Sequence, residues 1–127
     1  MKTRSHLPLL LFLLPLFSLA TAACGSGATE AKFPTGKFAD PNDRFRSYNF
    51  FEDGTWTYIA FGSIEEEGTY TVEGNKWIEN GTAECPFPGT YEWAFDGSNL
   101  TFKLVGEDAC EGRRITTDGS TWILAKE

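Results

Sequence analysis

Apolar and polar residues alternate along much of this 127-residue chain, the two-residue period of a half-buried strand. From Thr90 to Phe95, Tyr91, Trp93 and Phe95 share one face, and from Leu100 to Val105, Leu100, Phe102 and Leu104 do. Asp96-Gly97-Ser98-Asn99 joins the two runs, which predicts a hairpin. Thr55 to Phe61 places Trp56, Tyr58 and Ala60 together. Further strands are expected at 36–38, 44–51, 68–72, 76–80, 113–116 and 121–124. Turn signals recur at Asp53-Gly54, Glu73-Gly74-Asn75, Asp96-Gly97 and Asp118-Gly119. No stretch of ten or more residues carries a 3.6-residue apolar stripe. The pattern predicts an all-β fold: an antiparallel up-and-down meander of about eight strands. Closing it into a barrel would remove its exposed edges.

The amino-terminal segment has a different pattern. Lys2 and Arg4 precede an apolar run from Leu7 to Ala20, interrupted by Pro8 and Pro15, and small residues follow at 21–23. That order is the anatomy of a secretory signal peptide, and the run is short of the roughly 20 apolar residues of a spanning helix. Residues 1–23 therefore read as a signal peptide, 24–34 as a polar tether and 35–127 as the folded domain.

Ala22-Ala23-Cys24, followed by Gly25-Ser26-Gly27-Ala28-Thr29, resembles the lipobox of bacterial lipoproteins, with Thr21 where Leu is usual. The resemblance implies a diacylglycerol thioether on Cys24 and attachment to a membrane of the cell envelope; without it the product would be secreted and soluble. Modification of Cys24 leaves Cys85 and Cys110 as an even pair, which an oxidising compartment favours joining. A loop of about 25 residues closed by that bridge would contribute roughly 3 kcal/mol.

The stretch Gly89-Thr90-Tyr91-Glu92-Trp93-Ala94-Phe95-Asp96-Gly97-Ser98-Asn99-Leu100, with Asp108-Ala109-Cys110-Glu111-Gly112-Arg113, is similar to small exported bacterial proteins described as lipocalin-like or calycin-like. Thr35-Gly36-Lys37-Phe38 resembles the lipocalin Gly-x-Trp opening, with Phe38 in the place of Trp. The resemblance implies a calycin-like barrel in which Arg113 or Arg114 packs over Phe38 and closes one end. Avidin-like and fatty-acid-binding-like barrels share the same rhythm.

Charge and residue inventory narrow the function. Without Lys2 and Arg4, nine basic residues face eighteen acidic ones, a net charge of −9. Such a surface repels phosphate backbones and anionic headgroups, so nucleic acid is not an expected partner and membrane contact is expected through acyl chains alone. The sole histidine, His6, lies in the leader, so His-based nucleophiles and zinc sites are not expected. No phosphate-binding glycine loop occurs. Glu65-Glu66-Glu67 and Glu107-Asp108 read as solvated turns and not as a catalytic pair or calcium site. No metal, cofactor or enzymatic activity is expected.

The aromatic load, 15% of residues, is the functional lead. Trp56, Tyr58, Tyr70, Trp77, Tyr91, Trp93, Phe95, Phe102 and Trp122 either line a pocket for a small apolar ligand or fill the barrel. A hollow interior predicts a ligand-binding module. A filled interior predicts a protein-interaction module, such as an inhibitor of an envelope or extracellular enzyme.

Overall fold

The computed structural model describes residues 31–126; the segment read as a signal peptide and Cys24 lie outside them. Eight strands form one closed antiparallel barrel in chain order: β1 (Gly36–Ala39), β2 (Arg46–Phe50), β3 (Thr55–Ala60), β4 (Ser63–Glu73), β5 (Lys76–Glu79), β6 (Gly89–Phe95), β7 (Asn99–Leu104) and β8 (Thr121–Leu124). A two-turn helix, α1 (Glu111–Thr117), lies between β7 and β8. Closure comes from β1 against β8, where Phe38 is opposite Leu124 and Ala39 opposite Ile123. The expected hairpin is present, with Trp93 opposite Phe102 and Phe95 opposite Leu100. Its turn is tightened by Asp96, which accepts hydrogen bonds from the Asn99 side chain and from the backbone of Ser98 and Asn99. Those donors hold the carboxyl down at about 2.

The strand alternation turns one ring set inward. Phe38, Phe50, Tyr91, Leu100, Phe102 and Trp122 are all at most 3% exposed. They pack mainly edge-on or tilted: Phe38 meets Phe50 at 5.8 Å and Phe95 at 5.9 Å between centroids, and Trp77 meets Phe102 at 5.1 Å. Such pairs add about 0.5–1.5 kcal/mol each beyond the area they bury. Phe33, in the segment expected to be tether, is also buried. Its ring plugs one end of the barrel against Phe50, Tyr70 and Trp93 at 5.2–5.3 Å. Order thus begins before the domain start inferred from polarity.

Two elements differ from expectation. Residues 113–116, expected as a strand, lie in α1. Ile115, Thr116 and Thr117 are β-branched, but the inward positions are Arg113, Thr116 and Thr117, at helical spacing. That stripe is polar, so a search for apolar periodicity passes over it. Glu65-Glu66-Glu67, expected as a turn, belongs to β4. The register shifts between Tyr58 and Ile59, whose partners are Glu66 and Ile64, leaving Glu65 as the bulged residue. Glu66 keeps the inward parity of Gly68 and Tyr70 and is half-buried, while the bulge leaves Ile64 outward and Glu65 and Glu67 stay exposed.

Candidate functional site

The end of the barrel opposite Phe33 is covered by the β5–β6 loop (residues 80–88) and by α1. Three devices hold this cover. Cys85 and Cys110 form the expected disulfide, with Cα atoms 5.9 Å apart. Asp108 accepts the Cys110 backbone N–H at 2.8 Å, fixing the entry to α1. The third device is a buried ionic network. Glu79, fully shielded at the end of β5, pairs with Arg113 and also accepts the Gly81 N–H at 2.9 Å. Arg113 donates through Nε to Asp108 Oδ2 at 2.7 Å and through Nη2 to the Phe87 carbonyl at 2.9 Å. Tyr91, rising from β6, donates its hydroxyl to Asp108.

Burial pulls the Arg113 guanidinium below arginine's ordinary value, and the nearby Glu66 carboxylate and Tyr48 offset only part of that desolvation. Tyr91 is held above the ordinary tyrosine range by burial and by its bond to Asp108. Tyr48 is held above it chiefly by burial. Both phenols are therefore neutral at physiological pH.

Under the cover lies a cleft of about 450 Å³, within the size range of small-molecule sites. Its aromatic wall is Tyr48, Trp56, Tyr58 and Trp77. Its polar wall includes Glu66, Glu79, Thr82, Glu84 and Arg113, and the disulfide forms part of the rim. Glu66 accepts a hydrogen bond from the Thr82 hydroxyl at 2.9 Å. Arg46 donates to the Tyr58 hydroxyl and sits 3.6 Å from Asp40.

The indole N–H groups separate the four tryptophans into two pairs. Trp93 donates to the Gly74 carbonyl at 3.1 Å and Trp122 to the Ser120 hydroxyl at 2.9 Å. Trp56 and Trp77, 3% and 2% exposed, have buried N–H groups with no partner. Both wall the cleft. A buried unpaired donor costs about 1–3 kcal/mol.

Of the aromatic residues singled out by sequence, Trp56, Tyr58 and Trp77 line this cleft. Trp56 and Trp77 do so while also belonging to the packed core; Tyr70, Tyr91, Trp93, Phe102 and Trp122 are in that core without lining the cleft, and Phe95 packs against it. Tyr48, Glu66, Glu79 and Asp108 were not singled out individually. Tyr48 and Glu79 do fall on the inward parity of β2 and β5, with Phe50 and Trp77, but nothing in the local pattern marks Asp108 as buried. Arg113 spends its donors on Glu79, Asp108 and Phe87, and Arg114 is exposed. The rings against Phe38 are Phe50 and Phe95, so the closing role expected of an arginine is filled there by aromatic packing.

A second feature lies outside the barrel. Phe61 occupies a two-residue hairpin turn with Gly62, both at positive φ (52° and 83°), and is 78% exposed. It stacks on Phe45 at 5.6 Å, and the Arg44 guanidinium lies 4.8 Å from the Phe45 ring centroid. Among the described residues no group of three or more His, Cys, Asp or Glu is placed to hold a metal ion.

Fold and cleft together define a small closed β-barrel with one plugged end and one covered, partly hollow end. No protein-family model matches the chain, and no match is found among curated proteins or solved structures.

Proposed function

We propose that the chain is an exported, lipocalin-like lipoprotein that binds a small, largely apolar ligand in the cleft under α1, without transforming it. The observation that carries this reading is the cleft of about 450 Å³ walled by Tyr48, Trp56, Tyr58 and Trp77, in a barrel otherwise filled by its own rings. The amino-terminal pattern supports export and an acyl anchor at Cys24. Since Phe33 enters at the plugged end, such an anchor would leave the cleft end facing away from the membrane. Titration with the apolar fluorophore N-phenyl-1-naphthylamine tests the reading. Saturable binding is expected in the full chain and its loss in Ala109→Trp, which fills the cleft rim. Binding that is absent from the full chain, or unchanged in that variant, contradicts it.

The Phe45–Phe61 stack favours a second reading, a surface that binds a protein such as a basic envelope or extracellular enzyme. The net acidity of the domain would complement such a partner. Calorimetry against a basic lysozyme at low and high salt, with Phe61→Ser as control, tests it. No salt-sensitive heat, or heat unchanged by Phe61→Ser, counts against it.

A further inference from the structure

We infer that β4 accepts, along its free edge beside the β5–β6 loop, an extended protein segment whose alternate side chains are Lys or Arg. This site is separate from the cleft and does not rest on ligand binding there.

The edge exists because β4 is much longer than its neighbour, with 11 residues against 4 in β5. β3 pairs with β4 from Ser63 to Thr69, whereas β5 pairs only with Tyr70–Glu73. The Asn80 N–H still reaches the Thr69 carbonyl at 3.0 Å. The chain then leaves the ladder, and the Thr82 N–H bonds instead to the Cys85 carbonyl at 2.9 Å. Backbone groups along a strand alternate in direction, so Glu67, two residues from Thr69, turns its N–H and C=O toward the same side. Among the described residues no backbone group pairs with them there. The Thr82 hydroxyl holds the loop beside β4 through its bond to Glu66, and a groove of about 420 Å³ runs between strand and loop.

An unpaired strand edge is a template for another strand, and the side chains around this one select which. Glu65, Glu67 and Glu84 line the groove and are exposed, and no Lys or Arg lines it. Among the described residues none of the three forms a salt bridge. Like charges placed opposite each other destabilise a strand pair, so this acidic edge excludes a second copy of itself. The same carboxylates complement a cationic strand. Ile64, 60% exposed and also lining the groove, offers that strand an apolar contact.

Calorimetry on the full chain with three capped hexapeptides tests the inference. One alternates lysine and valine, and one alternates glutamate and valine. The third is the lysine–valine peptide N-methylated throughout, which keeps the charges and loses the backbone donors. The lysine–valine peptide is expected to bind and the glutamate–valine peptide not to. The methylated peptide is expected to bind about tenfold more weakly than its parent. Glu65→Gln combined with Glu67→Gln should weaken the parent peptide by about fivefold. Hydrogen exchange at the Glu67 amide should slow when that peptide is bound. Methylated and parent peptides of equal affinity would mean charge attraction without strand addition, which overturns the inference. Equal binding of the two unmethylated peptides, no binding by any, or Glu67 exchange that the peptide leaves unchanged also overturns it. None of these results bears on N-phenyl-1-naphthylamine in the cleft, so the two readings fail separately.

Discussion

Gly89 lies directly beneath the Arg113–Asp108 pair. A Cβ at this position would fall 2.7 Å from the guanidinium and 2.7 Å from Asp108 Oδ2. Both groups are pinned by other bonds, so they have little freedom to retreat. Gly89→Ala is expected to lower stability by about 2–3 kcal/mol, read as a shift in the urea midpoint with little change in slope. The buried phenols set a second residue-scale outcome. Tyr48 and Tyr91 ionise above the ordinary value of 10.0 when folded. A group with a raised folded value contributes stability that is fully present below its unfolded value and lost as pH rises past it. The urea midpoint should therefore hold between pH 8 and about 10 and fall above it. Replacing Tyr91 by Phe should flatten that fall, at the cost of leaving Asp108 one donor short.

Among the elements, α1 and the β5–β6 loop depend on each other through Cys85–Cys110 and the Glu79–Arg113–Asp108 network. Reduction of the disulfide is expected to cost about 3 kcal/mol. The cover should loosen before the barrel, seen as faster hydrogen exchange in α1 and residues 80–88 while β6 and β7 remain protected. The β3–β4 hairpin carries the opposite expectation. A two-residue turn with positive φ at both positions suits Asn-Gly, and here the first place is taken by an exposed Phe. Phe61→Asn should raise stability by about 0.5–1 kcal/mol, measured by thermal melting; a loss would mean that the stack on Phe45 outweighs the backbone strain. The strands were legible because their inward positions are aromatic and alternate, as in Tyr91-Glu92-Trp93. Helix α1 was not, because its inward side chains are Arg113, Thr116 and Thr117. The inward position of Glu66 follows the parity of Gly68 and Tyr70, but the polarity of three consecutive glutamates reads as a turn and hid the strand's extension through them.

For the whole molecule, the aromatic count, the turn spacing and the even cysteine pair led to a closed eight-stranded barrel with one disulfide, and these are present. Whether the interior was hollow could not be read from composition, since a ring that lines a pocket and a ring that fills a core obey the same alternation. The structure divides them: one end is plugged by Phe33 and the middle packed by rings, while a cleft remains under the cover. All four tryptophans belong to the core, but only Trp56 and Trp77 also line the cleft.

That placement gives the most direct measurement: the four indole ¹H–¹⁵N resonances followed while N-phenyl-1-naphthylamine is titrated into the labelled chain. Ligand binding under α1 predicts saturable shifts at Trp56 and Trp77, with Trp93 and Trp122 nearly unmoved. Shifts confined to Trp93 and Trp122, or none at any of the four, would contradict it.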